Sequence, residues 1–244
     1  MGKLVAGDYA EYFAGIGGGD GGGGGYIYIH GGNISAEGCN GAAGIGGGHN
    51  KGANIRIYGG EIYAEGGKGA AGIGGGAGGG KSNVLIRGGN IKATSKGTGI
   101  GAPCDSKAAE VSIYGGTITA KGEEGPGISG YSITISGGTI TAKGGKNSAA
   151  IGFGPDLTDC EIKIKGGNVR AIADSGGYGI GATKGKKATI KLSWTNLGDR
   201  IYASSYSGTV NVQKEFIIEG TSTIVQGNKY DKKRLIIRHF LRRH

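Results

Sequence analysis

Residues 28–36 read Tyr-Ile-His-Gly-Gly-Asn-Ile-Ser-Ala, and copies of this stretch decide how the chain folds. Each copy reads apolar, x, apolar, x, Gly-Gly, x, Ile or Val, x, Ala when the preceding Ile27 is included. The Gly-Gly pairs begin at residues 31, 59, 88, 115, 137 and 166, so the intervals are 28, 29, 27, 22 and 29 residues. A recurring unit of this length indicates a repeat architecture in which each unit is one structural turn.

Apolar and polar residues alternate within each unit, which is the period of a β-strand. Ile27 and Ile29 face one way, and Tyr28 and His30 face the other. A third apolar point recurs later in each unit, at Ile45, Ile73, Ile100, Ile128, Ile151 and Ile180. Three short strands per unit, with no helical period, predict an all-β parallel β-helix (a solenoid) of about seven to eight rungs stacked about 4.8 Å apart.

The inward residues of successive units are expected to stack in three ladders. The first contains Ile29, Ile57, Ile86, Ile113, Ile135 and Ile164; the second contains Ile34, Ile62, Ile91, Ile118, Ile140 and Val169; the third contains Ala36, Ala64, Ala93, Ala120, Ala142 and Ala171. No rung buries its apolar face alone, so stability is expected to come from stacking. The Gly-Gly pairs are expected at a corner with positive φ or close backbone approach.

The glycine content fits this repeat better than the alternatives. The chain has 60 Gly and 3 Pro without a Gly-X-Y period, which excludes collagen. The periodic isoleucines favour a repeat over disorder. We assign residues 1–193 to the glycine-rich β-helix, 194–228 to C-terminal capping strands that protect the last rung edge, and 229–244 to a basic tail.

The cysteines and the apolar runs of the sequence argue against disulfide-rich, metal-binding and helical membrane proteins. The chain has three widely spaced cysteines without C-x-x-C, which predicts no metal site and no disulfide framework. No apolar run approaches about 18 residues, so no transmembrane helix is encoded. No signal peptide is visible. The repeat pattern begins within a few residues of Met1, at Ala14-Gly15-Ile16-Gly17, so we interpret the chain as part of a longer protein.

Two motifs resemble a known repeat. Residues 133–144 read Ile-x-Ile-x-Gly-Gly-Thr-Ile-Thr-Ala-Lys-Gly, and residues 41–48 and 69–76 both read Gly-Ala-Ala-Gly-Ile-Gly-Gly-Gly. These units resemble the glycine-rich right-handed β-helix repeat of secreted or wall-attached proteins from Gram-positive gut bacteria, a relative of the clostridial carbohydrate-binding β-helix domain. The resemblance covers roughly residues 14–220. It implies a right-handed solenoid and an extracellular or cell-surface location, and it assigns no binding residue.

The outward positions before each Gly-Gly pair suggest a ligand. They interleave tyrosines with basic groups over the first four rungs, and the candidate glycan-binding residues are Tyr28, His30, Arg56, Tyr58, Arg87 and Tyr114. Aromatic faces stack on sugar rings, and arginine pairs with carboxylate or sulfate groups. This face therefore predicts a polysaccharide partner, such as a host or cell-wall glycan, with acidic groups.

Two further sequence features, a phosphate-loop pattern and a pair of glutamates, have structural explanations. Residues 75–82 fit the phosphate-loop pattern, but a strand follows instead of a helix, so neither a nucleotide nor any other cofactor is expected. Nucleic acid has no supporting motif. Glu37 and Glu65 occupy equivalent places in adjacent rungs, at the separation of a retaining glycosidase pair, yet we interpret them as solvated surface carboxylates and assign no catalytic residue.

The preferred hypothesis is a non-enzymatic extracellular β-helix module that serves as a stalk or adhesin with glycan binding. One alternative is a β-helix polysaccharide lyase or glycosidase, although the short glycine-filled turns offer no long loop to wall a cleft. A second alternative is contact of the 229–244 tail with an anionic membrane or wall polymer.

Overall fold

A computed structural model describes residues 3–7, 11–103, 109–153, 159–182, 187–193, 199–204, 206–207, 209–212, 217–218 and 235–238. These residues contain strands and turns but no helix, and hence no helix that is long and apolar enough to cross a membrane. In chain order the strands are β1 (Lys3–Gly7), β2 (Ile16–Gly17), β3 (Tyr26–Ile29), β4 (Asn33–Glu37), β5 (Ile45–Gly46), β6 (Asn54–Ile57), β7 (Glu61–Gly66), β8 (Ala71–Gly74), β9 (Ser82–Ile86), β10 (Asn90–Ser95), β11 (Thr98–Gly101), β12 (Ala109–Ile113), β13 (Thr117–Gly122), β14 (Ile128–Ser129), β15 (Ser132–Ile135), β16 (Thr139–Gly144), β17 (Ile151–Phe153), β18 (Asp159–Ile164), β19 (Asn168–Ala173), β20 (Ile180–Ala182), β21 (Lys187–Leu192), β22 (Arg200–Ala203), β23 (Tyr206–Ser207), β24 (Thr209–Val212), β25 (Ile217–Ile218) and β26 (Leu235–Arg238).

The strands form three sheets that the chain visits in rotation. Sheet A has the order β1-β4-β7-β10-β13-β16-β19-β22-β26-β25; sheet B runs from β2 to β23 and sheet C from β3 to β24, each through every third strand. Strands one turn apart pair in parallel. The protein is therefore an all-β, right-handed parallel solenoid with a Gly-Gly corner, which confirms the predicted fold class, and sheets B and C each contain eight stacked strands.

The inward residues stack as the sequence predicts. Ile29 is in register with Ile57, and Ile57 with Ile86. The alanine ladder follows the same rule in sheet A, and the third apolar point forms the inward column of sheet B. Every isoleucine of the first ladder is at most 6% exposed. Each fully buried isoleucine contributes roughly 1.5–3 kcal/mol, which a single turn without neighbours would not gain.

Glycine recurs at two corners of the turn, although Ser129 takes the place of the sheet B glycine in one turn. At the corner between sheets C and A, the second glycine of each pair has positive φ, for example +110° at Gly60, where an added Cβ would lie 2.8 Å from the carbonyl oxygen of Gly32. At the exit of sheet B, Gly46 has φ of +142°, and its Cβ would lie 1.9 Å from the carbonyl oxygen of Gly74. Successive turns thus touch through their backbones. The positive φ and the close backbone approach predicted for the Gly-Gly pairs are both confirmed.

The parallel register continues beyond residue 193. β22, β23 and β24 pair in parallel with β19, β20 and β21, and β26 then joins β22 in the antiparallel sense. Asp199 stands opposite Gly167, where earlier turns have the second glycine, and its Oδ1 accepts a hydrogen bond of 2.8 Å from the Gly167 amide. The domain bounds at 193 and 228 stay predictions, and Trp194 and most of the tail lie outside the described residues.

The adjacent glycines 59 and 60 provide a matched test of the corner. We expect Gly60→Ala to destabilise the protein by about 2 kcal/mol or more, because alanine is strained at positive φ and its Cβ meets the backbone of the preceding turn. Gly59→Ala is expected to be neutral or to stabilise by up to about 1 kcal/mol, since its Cβ meets only the His30 carbonyl oxygen at 3.5 Å. Urea denaturation of both variants measures the difference; equal midpoints would contradict the corner's role.

Candidate functional site

The predicted site residues lie together on the outer face of sheet C, in three parallel columns. The first column, which follows the register, contains Tyr26, Asn54, Asn83 and Glu110; the second contains Tyr28, Arg56, Leu85 and Ser112; the third, at the strand ends, contains His30, Tyr58, Arg87 and Tyr114. All six candidate residues belong to the second and third columns. Their burial pattern is that of strands whose alternate side chains point to solvent.

Three residues of the third column, His30, Tyr58 and Arg87, form a stack of two rings and a guanidinium. The His30 and Tyr58 rings are parallel within 2° with centroids 4.7 Å apart, which is close to the spacing between strands. Arg87 Cζ lies 5.7 Å from the centroid of the Tyr58 ring. The ring faces therefore point along the solenoid axis, and Tyr58 is occupied by the protein's own groups and presents its edge to solvent.

Open aromatic surface is found on three other tyrosines of this face, Tyr26, Tyr28 and Tyr114. Tyr26 and Tyr28 lie side by side with nearly parallel rings, 6.4 Å between centroids and 13° between planes, and are 71% and 51% exposed. Arg56 Cζ lies 5.7 Å from the Tyr28 ring. Since β3 is the edge strand of sheet C, no described strand covers the other faces of these rings. Tyr114 is 53% exposed.

A groove of about 220 Å³ runs across the first and second columns. Its outward-pointing lining residues are Tyr26, Asn54, Arg56, Asn83, Leu85, Glu110 and Ser112. Asn83 Nδ2 donates a hydrogen bond of 2.8 Å to Asn54 Oδ1, while Asn83 Oδ1 is buried without a partner among the described residues. An unpaired buried acceptor costs roughly 1–3 kcal/mol. The sequence reasoning missed this column, although it lies two residues before the second in every strand.

The upper end of the groove is held by a tyrosine–carboxylate pair. Tyr131 Oη donates a hydrogen bond of 2.5 Å to Glu110 Oε1. This hydrogen bond, with smaller effects of burial and of the Glu110 charge, raises the pKa of Tyr131 to about 12. The tyrosine therefore remains protonated at neutral pH and fixes the orientation of the carboxylate.

Arginines that form no ion pair in the described part of the chain lie in the first turns of this face, whereas two lysines of the later turns share one carboxylate. Lys163 and Lys191 both contact Glu161 at 2.5 Å, and their hydrogen bonds hold the pKa of Glu161 below its usual value. Arg56 and Arg87, by contrast, contact tyrosine rings and form no ion pair among the described residues. Two exposed guanidinium groups without an ion pair among the described residues therefore lie beside the aromatic rings.

Sheet A carries a separate aromatic cluster, with Lys92 Nζ 5.2 Å from the Tyr63 ring. Glu37 and Glu65 are register partners on this sheet, so the predicted adjacency is confirmed. The Tyr63 hydroxyl donates a hydrogen bond to Glu65, which raises the pKa of Tyr63. Glu65 thus has a structural partner on an open strand surface.

The phosphate-loop match of residues 75–82 is part of the backbone packing. The amides of Gly75, Gly76 and Ala77 donate to the carbonyl oxygens of Gly101, Lys51 and Gly41, and β9 follows directly. These amides therefore serve the stacking of the turns. Among the described residues, no group of three or more His, Cys, Asp or Glu side chains is arranged to hold a metal ion.

Comparison with known proteins agrees with the fold. A family model described as a beta helix repeat matches residues 27–49, 55–77, 84–102, 111–130 and 133–152. Each matched segment begins in a strand of sheet C and ends near the exit of sheet B. Together with the three parallel sheets, these matches define a β-helix repeat protein. The comparisons found no match among curated proteins and none among solved structures.

The Tyr131–Glu110 pair predicts a titration. Because the folded-state pKa of Tyr131 lies above its ordinary value of about 10, the stabilisation from the pair is complete below that pH and is lost as pH rises through about 12. Glu110→Gln is expected to bring this pKa back toward the ordinary value. Spectrophotometric tyrosinate titration, with Tyr131→Phe to identify the group, measures it. If Glu110→Gln leaves the titration of Tyr131 unchanged, the pair does not form.

Proposed function

We propose that this protein is a non-enzymatic module of a bacterial surface or secreted protein and that it binds acidic glycans on the outer face of sheet C. One observation carries the proposal: on this face, Arg56 and Arg87, which form no ion pair among the described residues, lie beside tyrosine rings in columns fixed by the strand register. Tyrosine rings offer apolar surface to the C–H face of a sugar, and guanidinium groups bind carboxylate or sulfate in two-pronged geometry.

The location of free charge supports an acidic ligand. Lys163 and Lys191, farther along the face, contact Glu161, whereas Arg56 and Arg87 are exposed and stacked on tyrosines. The stacking orders both guanidinium groups, so less side-chain entropy is lost when an anion binds. A chain of acidic sugars that follows the columns would meet these groups in succession.

The scaffold supports the role of a stalk or adhesin. Backbone contacts at each glycine corner link successive turns, and the described turns contain no long inserted loop. Such a stack presents a flat and rigid surface. The groove has one carboxylate, Glu110, which Tyr131 already engages, and this favours binding over hydrolysis by a pair of carboxyl groups. The extracellular location rests on the resemblance of the repeats to those of exported proteins.

Removal of the exposed rings tests the proposal. We expect Tyr28→Ala combined with Tyr114→Ala to weaken binding to acidic oligosaccharides by about tenfold, because each lost stacking contact is worth roughly 0.5–1.5 kcal/mol. Glycan-array screening followed by calorimetric titration measures the loss.

The matched control is Tyr63→Ala on sheet A, which removes a tyrosine that also lies beside a cation but belongs to another face. This control is expected to keep wild-type affinity. Retention of wild-type affinity by the double variant, or an equal loss in the control, would place the glycan elsewhere. A protein that retains no glycan on the array would overturn the proposed function.

A further inference from the structure

We propose that the groove across the first two columns of sheet C is a subsite for one hexuronic acid unit, that is, a pyranose ring with one carboxylate. This inference rests on the proposed glycan function and specifies the sugar that the face selects. The groove volume of about 220 Å³ lies below the roughly 300–1,000 Å³ typical of sites for drug-sized molecules. It therefore suits a single unit of a longer chain, with the neighbouring units on the exposed columns.

The two ends of the groove differ in charge. Arg56, on β6, is exposed and has no carboxylate partner among the described residues. Glu110, on β12, lies two strands away, which corresponds to about 9–10 Å along the axis. The hydrogen bond from the neutral Tyr131 hydroxyl orients Glu110 and leaves its negative charge in place, so the groove has a cation at Arg56 and an anion at Glu110. A ligand that places its carboxylate at Arg56 and a hydroxyl donor at Glu110 satisfies both ends.

The middle of the groove offers amide groups. Asn54 and Asn83 are hydrogen-bonded to each other, and Asn83 Oδ1 lacks a donor. The terminal torsion of asparagine is broad, so a small rotation of the Asn83 amide turns this oxygen toward the groove. A ring hydroxyl of the sugar would supply the missing donor. The Asn54–Asn83 amide pair therefore matches a ligand rich in hydroxyl groups.

The floor of the groove is apolar. Leu85 lies in register between Arg56 and Ser112 and is half-buried. It provides the contact for the C–H face of the ring, and the Tyr26 ring lines the lower end. The groove thus combines an apolar floor, paired amides, one free cation and one oriented carboxylate. An acidic sugar would form an ion pair with Arg56, which a neutral sugar would not.

A carboxyl-reduced ligand tests the subsite. The probes are a short oligogalacturonate and the same oligosaccharide with its carboxyl groups reduced to alcohols, and calorimetric titration gives both affinities. We expect the wild-type protein to prefer the acidic probe by about tenfold or more, as the loss of a charge-assisted hydrogen bond implies. Arg56→Gln is expected to abolish this preference, and Glu110→Gln to weaken both probes about equally.

Arg87→Gln is the matched control, because Arg87 lies at the same 5.7 Å from a tyrosine ring but does not line the groove. We expect this variant to lose affinity for the acidic probe to a smaller extent and to keep a clear preference for it. Equal binding of the two probes by the wild-type protein, or equal effects of the two arginine variants, overturns the subsite while leaving glycan binding intact. Absence of binding to any glycan overturns both proposals.

Discussion

Backbone-to-backbone contact between successive turns is the constraint on which the rest of this structure depends. At the exit of sheet B, each turn lies so close to the next that an added Cβ at Gly46 would overlap the carbonyl oxygen of Gly74, and the same holds between Gly74 and Gly101. The contact closes the turn into a small triangle of short strands. It also brings the isoleucine ladders into register, and the core consists mainly of columns of similar side chains, two from sheet C, two from sheet A and one from sheet B.

Because the strand register is fixed, the outward residues at equivalent positions of successive turns line up in columns on the surface. Outward residues of neighbouring turns lie one strand spacing apart, close to the distance at which aromatic rings stack, as His30 and Tyr58 do. The same spacing brings Arg56 over Tyr28 and Arg87 over Tyr58. The inward positions cannot vary without loss of packing, whereas the outward positions are free to differ from turn to turn. Recognition chemistry is therefore confined to the outward positions.

Electrostatics then divides the outer face of sheet C into two parts. In its later turns Lys163 and Lys191 both contact Glu161, while in its first turns Arg56 and Arg87 lie beside tyrosine rings and form no ion pair among the described residues. The groove lies in the first part and contains one oriented carboxylate, so it combines attraction for an anion with acceptors for hydroxyl groups. This combination links the fold to the proposed recognition of acidic sugars.

The sequence by itself determined the ladders, the Gly-Gly corner and the gathering of Tyr28, His30, Arg56, Tyr58, Arg87 and Tyr114 on one face, because a period of two and a repeat fix which residues share a side. Only the tertiary structure decided how the rings lie, since stacking along the axis depends on rotamers set by neighbouring turns. Only it revealed the Tyr131–Glu110 hydrogen bond and the groove, whose walls come from four strands. Only the tertiary structure also showed that parallel strand pairing continues after residue 193, where the repeat motif is no longer recognisable in the sequence. There Asp199 accepts a hydrogen bond from the Gly167 amide, and such a contact between turns leaves no trace in local sequence.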